Sequence, residues 1–306
     1  MIGDNLQKDM FRWLSPPDPW KNHHNACESR HHGSAAWFIQ CDTFAEWKVS
    51  DSRSSLLWVQ GKRPLILAFT PFQILKIFLL VAGAGKSVLW YVQRPIFLSR
   101  KLIVLVSSTI IEGVDAMRKA GLATLAFFYC DFREDQKKNL RGLVSSLLVQ
   151  LCHQSNSYCD VLFDFYSEHA KGLRPPSDSA LVGCLMDLLK LPGLATVYLV
   201  VDALDECPKS TIRSPRSKVL NLIEELIELQ LPNLRLCVTS RPETDIKDVL
   251  DPLIPHCVSL HDERGQKIDI EEYIKSVINT HTKNRRWKAE HKQLVIDVLT
   301  KKADGM

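Results

Sequence analysis

Thr196-Val197-Tyr198-Leu199-Val200-Val201-Asp202-Ala203-Leu204-Asp205-Glu206 decides the fold. The first six residues are an apolar, largely β-branched run too short for a helix, which predicts a strand covered on both faces. The same signature recurs at 55–60 (SLLWVQ, closing at Gly61), 122–130 (LATLAFFYC), 234–239 (LRLCVT, running into Ser240-Arg241-Pro242) and 257–260. Helical spacing fills the gaps. It covers 136–153, with Leu140, Leu143, Leu147, Leu148 and Leu151 on one side, and 179–190, stopped by Pro192 and Gly193; it returns at 217–230, 243–250, 268–280 and 288–301. Buried strands alternating with helices predict an α/β fold, a parallel central sheet between two helical layers. Ligands in such sheets lie at the carboxyl ends of the strands.

Polar residues gather at those ends. The strand at 196–201 runs into Asp202, Asp205 and Glu206. One carboxylate at a strand tip can orient Mg²⁺ and a neighbour can polarise an attacking water, the arrangement of a Walker B element. The bland alternative is an acidic start to a helix, favoured by the helix dipole. Gly83-Ala84-Gly85-Lys86-Ser87 is the second half of a phosphate-binding loop, whose amides wrap phosphate, whose lysine reaches the terminal phosphates and whose serine ligates Mg²⁺. The full motif needs a glycine six residues before the lysine, and Leu80 stands there. After the strand at 234–239, Arg241 can sense a γ-phosphate, or Pro242 can simply open a helix.

The composition is that of an ordinary globular chain: 306 residues, 45% hydrophobic and 24% charged, net charge +4. The basic excess is local. Residues 63–81 hold Arg63 and Lys76, residues 90–107 hold Arg94, Arg100 and Lys101, and neither segment holds an acid; without these five cations the formal charge of +4 becomes −1. So slight a charge, with no aromatic-basic face, argues against nucleic acid as a partner and against a helicase. The nine cysteines are scattered with no CxxC pair, and the opening MIGDNLQKDMFRWLSPP is no signal peptide, which together predict a reduced, cytoplasmic setting. His23, His24, Cys27, His31 and His32 cluster without the paired spacing of a zinc site.

GAGKS, then LVVDALDEC, then LCVTSRPE resembles the NACHT nucleotide-binding domain of fungal NOD-like receptors, in the subgroup with a nephrocystin-like N-terminus; RWLSPPDP, GSAAWFIQCDTFAEWK, DFRED and DIEEYI are similar as well. The resemblance implies a P-loop NTPase of the STAND type, a three-layer sandwich that binds ATP or ADP (or GTP) with Mg²⁺. Exchange or slow hydrolysis would switch it between a closed monomer and a self-associated form. By that resemblance Gly83, Gly85, Lys86 and Ser87 cradle phosphate, Ser87 and Asp202 hold the metal, Asp205 and Glu206 supply the water-positioning acid, and Arg241 is the sensor. It divides the chain into a helical lead-in (1–50), the NTPase domain (51–260) and the start of a helical region (261–306), with no repeat array or effector domain evident.

The departure lies at the loop. The family pattern GKPGAGKS is split here between Gly61-Lys62 and Gly83 by residues 63–82, and a second segment, 90–107, follows Leu89 where the loop's helix would continue. Both segments, 63–81 and 90–107, read as translated introns. Trp90-Tyr91-Val92 is encoded by a stretch that contains GTAYGT, a common intron start. Splicing into the Ser107 codon leaves a cysteine between Leu89 and Ser108, and splicing from Arg63 to Ala82 leaves a proline between Lys62 and Gly83. Both joins restore the family pattern. Transcript sequencing across codons 60–110 tests the idea; a mature message that keeps both segments defeats it. Two other readings exist: a membrane span over 64–82, against which Gln73 and Lys76 inside it stand, and, favoured over it, a disordered or aggregation-prone insertion, since each segment is a β-rich run without acids. The expected function is a nucleotide-binding switch with slow or no hydrolysis, impaired by these insertions; the alternative is a nucleotide-free scaffold for self-association.

Overall fold

The structure is a computed structural model that describes residues 4–28, 35–49, 55–61, 95–193, 195–209, 214–253, 256–259, 264–280 and 288–303. Five strands form one parallel sheet: β1 (Leu56–Gln60), β2 (Ala123–Tyr129), β3 (Thr196–Asp202), β4 (Leu234–Ser240) and β5 (His256–Ser259), in the spatial order β2-β3-β4-β1-β5. Each coincides within a residue or two with a run read from the sequence.

Side-chain alternation builds two cores. Leu56 and Trp58 of β1, Val197, Leu199 and Val201 of β3, and Leu236 and Val238 of β4 face one layer. That layer is made of α1 (Asp4–Leu14), α6 (Leu140–Cys152), α7 (Asn156–Glu168), α8 (Asp178–Leu189), α9 (Pro215–Glu228) and α10 (Thr244–Leu250). The intervening Leu57, Val59, Tyr198, Val200 and Cys237 face the other layer, to which α3 (Ala36–Gln40), α4 (Asp42–Val49) and α5 (Pro95–Lys119) contribute Phe38, Phe44, Trp47, Ile110 and Val114. Helix α2 (Trp20–Glu28) lies against α5, with Trp20 edge-on to Phe127. The lead-in therefore passes from one face to the other around the β2 border. Beyond the sheet, α11 (Arg264–Thr280) packs on α12 (Ala289–Ala303) and reaches α3, where Asp269 accepts from the Ala35 N–H (2.6 Å) and the Trp37 indole (3.0 Å).

The β2 border is closed by side chains. Gln150, in the last turn of α6, and Gln154, in the turn that follows it, each offer a whole amide to the outer backbone of β2. Gln150 accepts the Phe127 N–H (3.1 Å) and donates to its carbonyl (2.8 Å); Gln154 does the same at Leu125 (3.0 and 2.6 Å). Two amides thus stand where a neighbouring strand would supply its ladder.

Two segments differ from the sequence expectation. Residues 90–107 are read above as an insertion that breaks off the loop's helix, yet among the described residues α5 opens at Pro95 and continues unbroken to Lys119. Proline suits a first helical turn, where its missing N–H has no partner to lose. Helix α7 has no counterpart in the reading, although Tyr158, Leu162 and Tyr166, four apart and buried, form its inner stripe. Among the described residues no helix is long and apolar enough to cross a membrane; residues 64–82 lie outside them.

Candidate functional site

The connection from β1 to β2 runs back across β4 and β3 by way of α5, which packs on β2, β3 and β4. The β2-to-β3, β3-to-β4 and β4-to-β5 connections use helices of the opposite face. Right-handed crossovers require this division. β1 is thus followed by a helix of one face and β4 by a helix of the other, and at such a switch in a parallel sheet ligands lie outside the carboxyl ends of the strands. The ends of β1 and β4 are pinned together: the Gly61 N–H donates to the Ser240 carbonyl (3.0 Å) and the Trp58 indole to Ser240 Oγ (2.9 Å).

Asp202 ends β3. Since Tyr198 and Val200 face the α5 layer, alternation turns Asp202 that way too. Cys237 fixes the same parity on β4, so Thr239 points with Asp202, one residue past the Val201–Val238 pair. Thr239 Oγ1 donates to Asp202 Oδ1 (2.7 Å) and accepts the Ala203 N–H (3.0 Å). The hydroxyl of Ser107, on α5, donates to the same carboxylate oxygen. Asp202 is 1% exposed, and its burial pushes the carboxyl up to about 6 although both hydroxyls pull it down.

Ala203 takes a left-handed turn (φ 55°) into a short 3-10 turn, Leu204–Glu206. There the two adjacent acids part. Asp205 reaches toward β4: its Oδ1 accepts the main-chain N–H of Arg241 (3.1 Å), and its Oδ2 lies 3.4 Å from Arg241 Nε. Glu206 reaches toward β2 and accepts the Phe132 N–H (3.2 Å). Under the turn, Cys207 donates to Cys130 across 3.6 Å, which raises the Cys130 thiol pKa well above its ordinary value.

Asp202, Asp205, Glu206 and Arg241 thus share one rim. Gly83, Gly85, Lys86 and Ser87 lie outside the described residues, and with them the phosphate cradle. Three partners were not singled out from sequence: Thr239, Ser107 and Arg216, the last bound to the carbonyls of Asp205 and Cys207. A polar residue closing a buried strand is the signal that marks Thr239; Ser107 and Arg216 carry none, because only the packing of α5 and α9 brings them in. The carboxylate of Asp202 and the two hydroxyls bonded to it are hard oxygen donors of the kind Mg²⁺ takes. Among the described residues no three His, Cys, Asp or Glu gather into a metal cluster. His23 instead is buried and bonded to the Tyr129 hydroxyl (3.0 Å). None of the nine cysteines is in a disulfide.

Residues 104–241 match the model of the family described as nephrocystin 3, N-terminal. The match fits a nephrocystin-like, NACHT-type region. It runs from within α5 to Arg241, so it contains Asp202, Asp205, Glu206 and Arg241 and begins after the loop at 83–87. No curated protein matches the chain.

Proposed function

We propose that this chain is a nucleotide-binding switch of the STAND type, of the fungal NOD-like receptor class, holding ATP or ADP (or GTP) with Mg²⁺ and turning it over slowly or not at all. The observation that carries the reading is Asp202, buried at the end of β3 and held by the hydroxyls of Thr239 and Ser107, with the Asp205–Arg241 pair on the same rim. The nephrocystin-like match over the same rim supports it. In this reading Asp202 and Ser87 hold the cation, Lys86 and the amides of Gly83 and Gly85 hold phosphate, and Arg241 meets the terminal phosphate. The bound cation supplies charge neutralisation at the phosphates. Glu206 or Asp205 orients a water; of the two, Asp205 is already committed to Arg241. Self-association through the NTPase domain in a cytoplasmic setting, without nucleic acid or membrane, completes the proposal.

A second reading, a nucleotide-free scaffold, draws on Ser107. Its hydroxyl occupies an oxygen of Asp202, and residue 107 closes the second segment read as an insertion. Calorimetric titration with Mg·ATP separates the two. The chain as written should bind weakly. A form joined as Lys62-Pro-Gly83 and Leu89-Cys-Ser108 should bind well, and should lose binding on Lys86→Ala. Equal affinities of the two forms defeat the insertion argument, and no binding by either defeats the switch.

A further inference from the structure

Arg216 is a buried cation in a place a helix does not favour. It is the second residue of α9, behind Pro215 and the cap Ser214, and its side chain is 5% exposed. The amino end of a helix repels positive charge. Something other than α9 therefore holds it there.

Its guanidinium grips two different loops of the rim. Toward β3, Nη2 donates to the Asp205 carbonyl (2.5 Å) and Nε to the Cys207 carbonyl (2.9 Å). Toward β4, Nη1 donates to Glu243 Oε2 (2.5 Å) and lies 3.2 Å from Asp245 Oδ2. Burial opposes its charge, yet Glu243 and Asp245 outweigh that and hold its pKa above the ordinary arginine value. The left-handed turn at Ala203 leads into the turn whose carbonyls Arg216 binds, and buried carbonyls need donors. A rigid fork of N–H groups can serve both loops at once, which a lysine ammonium on its flexible stem does poorly. One loop carries Asp205 and Glu206; the other begins at Arg241, two residues before Glu243.

We propose that Arg216 is a positioning residue that locks the acidic turn after β3 to the arginine loop after β4, so that a shift of Arg241 on meeting a terminal phosphate is passed to Asp205 and Glu206. The transmission rests on the switch reading above; the lock does not.

Amide hydrogen exchange on the full chain tests the lock. Arg216→Gln should speed exchange across 203–207 and 241–247 together, by about tenfold or more as the charge-assisted bonds are lost, with the interiors of β3 and β4 unchanged. Arg216→Lys should fall between. Acceleration of one loop alone, or of the whole domain equally, overturns the lock; if Arg216→Gln fails to fold, Arg216→Lys exchanging like wild type in both loops overturns it as well. Calorimetry tests the transmission. Arg216→Gln should cut the preference for Mg·ATP over Mg·ADP about tenfold, with ADP affinity changed less than about threefold, the split expected when only the γ-phosphate response is lost. Equal loss of both nucleotides overturns transmission. If neither the chain as written nor the joined form binds either nucleotide, the switch reading and transmission fail together, while the exchange result still decides the lock.

Discussion

Thr239 holds Asp202 from the neighbouring strand: its hydroxyl donates to Asp202 Oδ1 at 2.7 Å and accepts the Ala203 N–H at 3.0 Å. One side chain thus satisfies a buried carboxylate and the amide of a left-handed residue. Thr239→Val keeps the shape, leaves Asp202 with the Ser107 hydroxyl and takes this acceptor from the Ala203 N–H, which should cost about 2 kcal/mol in urea unfolding, the usual penalty for buried polar groups left unpaired. Thr239→Ser keeps the hydroxyl and should stay close to wild type. A valine variant as stable as wild type would show that the hydroxyl carries no weight.

Asp202→Asn separates function from folding. The amide retains an acceptor for Thr239 and removes a charge that burial disfavours, so the thermal midpoint should hold or rise. Mg²⁺-dependent nucleotide binding by the joined form should fall at least about tenfold, since a neutral amide is a poor ligand for a hard cation. Unchanged affinity in calorimetry would remove Asp202 from the site.

The amides of Gln150 and Gln154 make a sharp case for the β2 border. Replacing both by leucine leaves two N–H and two C=O groups of β2 without these partners. A loss of about 2–4 kcal/mol is expected at roughly 1 kcal/mol per bond. Light scattering should also show association through the exposed strand edge. A double variant that is stable and monodisperse would mean that water serves the edge equally well.

Gly142 reverses a common rule. Glycine inside a helix is weaker than alanine by about 1 kcal/mol, so Gly→Ala ordinarily stabilises. Here a Cβ would stand 1.7 Å from the carbonyl oxygen of Gln136, in the 3-10 turn folded over the start of α6. Gly142→Ala should therefore destabilise by about 1–3 kcal/mol through forced overpacking, measured by thermal or urea unfolding.

Asp131 sets an acid limb. The Arg133 guanidinium holds its carboxyl down at about 2, with Oδ2 at 2.6 Å from Nη2. The unfolded value is about 3.9, so the folded state prefers the ionised form. The contribution is complete above that value and disappears as pH falls through about 2. Arg133 is 73% exposed, so solvent screening reduces the gain to about 1 kcal/mol. Asp131→Asn should lose that much at pH 7 and converge with wild type near pH 2. A gap that persists at the acid end would assign the loss to packing.

The strands were readable because burial on both faces leaves little choice of residue: runs such as TVYLVV and LRLCVT have one structural use in a chain of this size. Their spatial order was not readable, since nothing in LLWVQ states that β1 lies between β4 and β5. The rim acids and Arg241 were visible as polar residues following apolar strands. Their division of labour was not, because Asp205 and Glu206 look alike in sequence and differ only in which neighbouring strand they reach. Helix α7 escaped because its stripe mixes tyrosines with leucine, and α5 because Ile, Val and Leu near residue 100 suit a strand as well as a helix. The pairing of Ser107 with Asp202 is a contact across 95 positions that no local pattern encodes.

The parity that turns Asp202 toward Thr239 and Ser107 has a consequence for how this chain can change over generations. A single residue gained or lost between Thr196 and Val201 would rotate the carboxylate to the leucine-lined side, away from Thr239 and Ser107. Substitutions along β3 are tolerable so long as they stay apolar, but a codon-sized insertion or deletion there is not. Natural variation in length should therefore fall in the connecting loops and spare this strand.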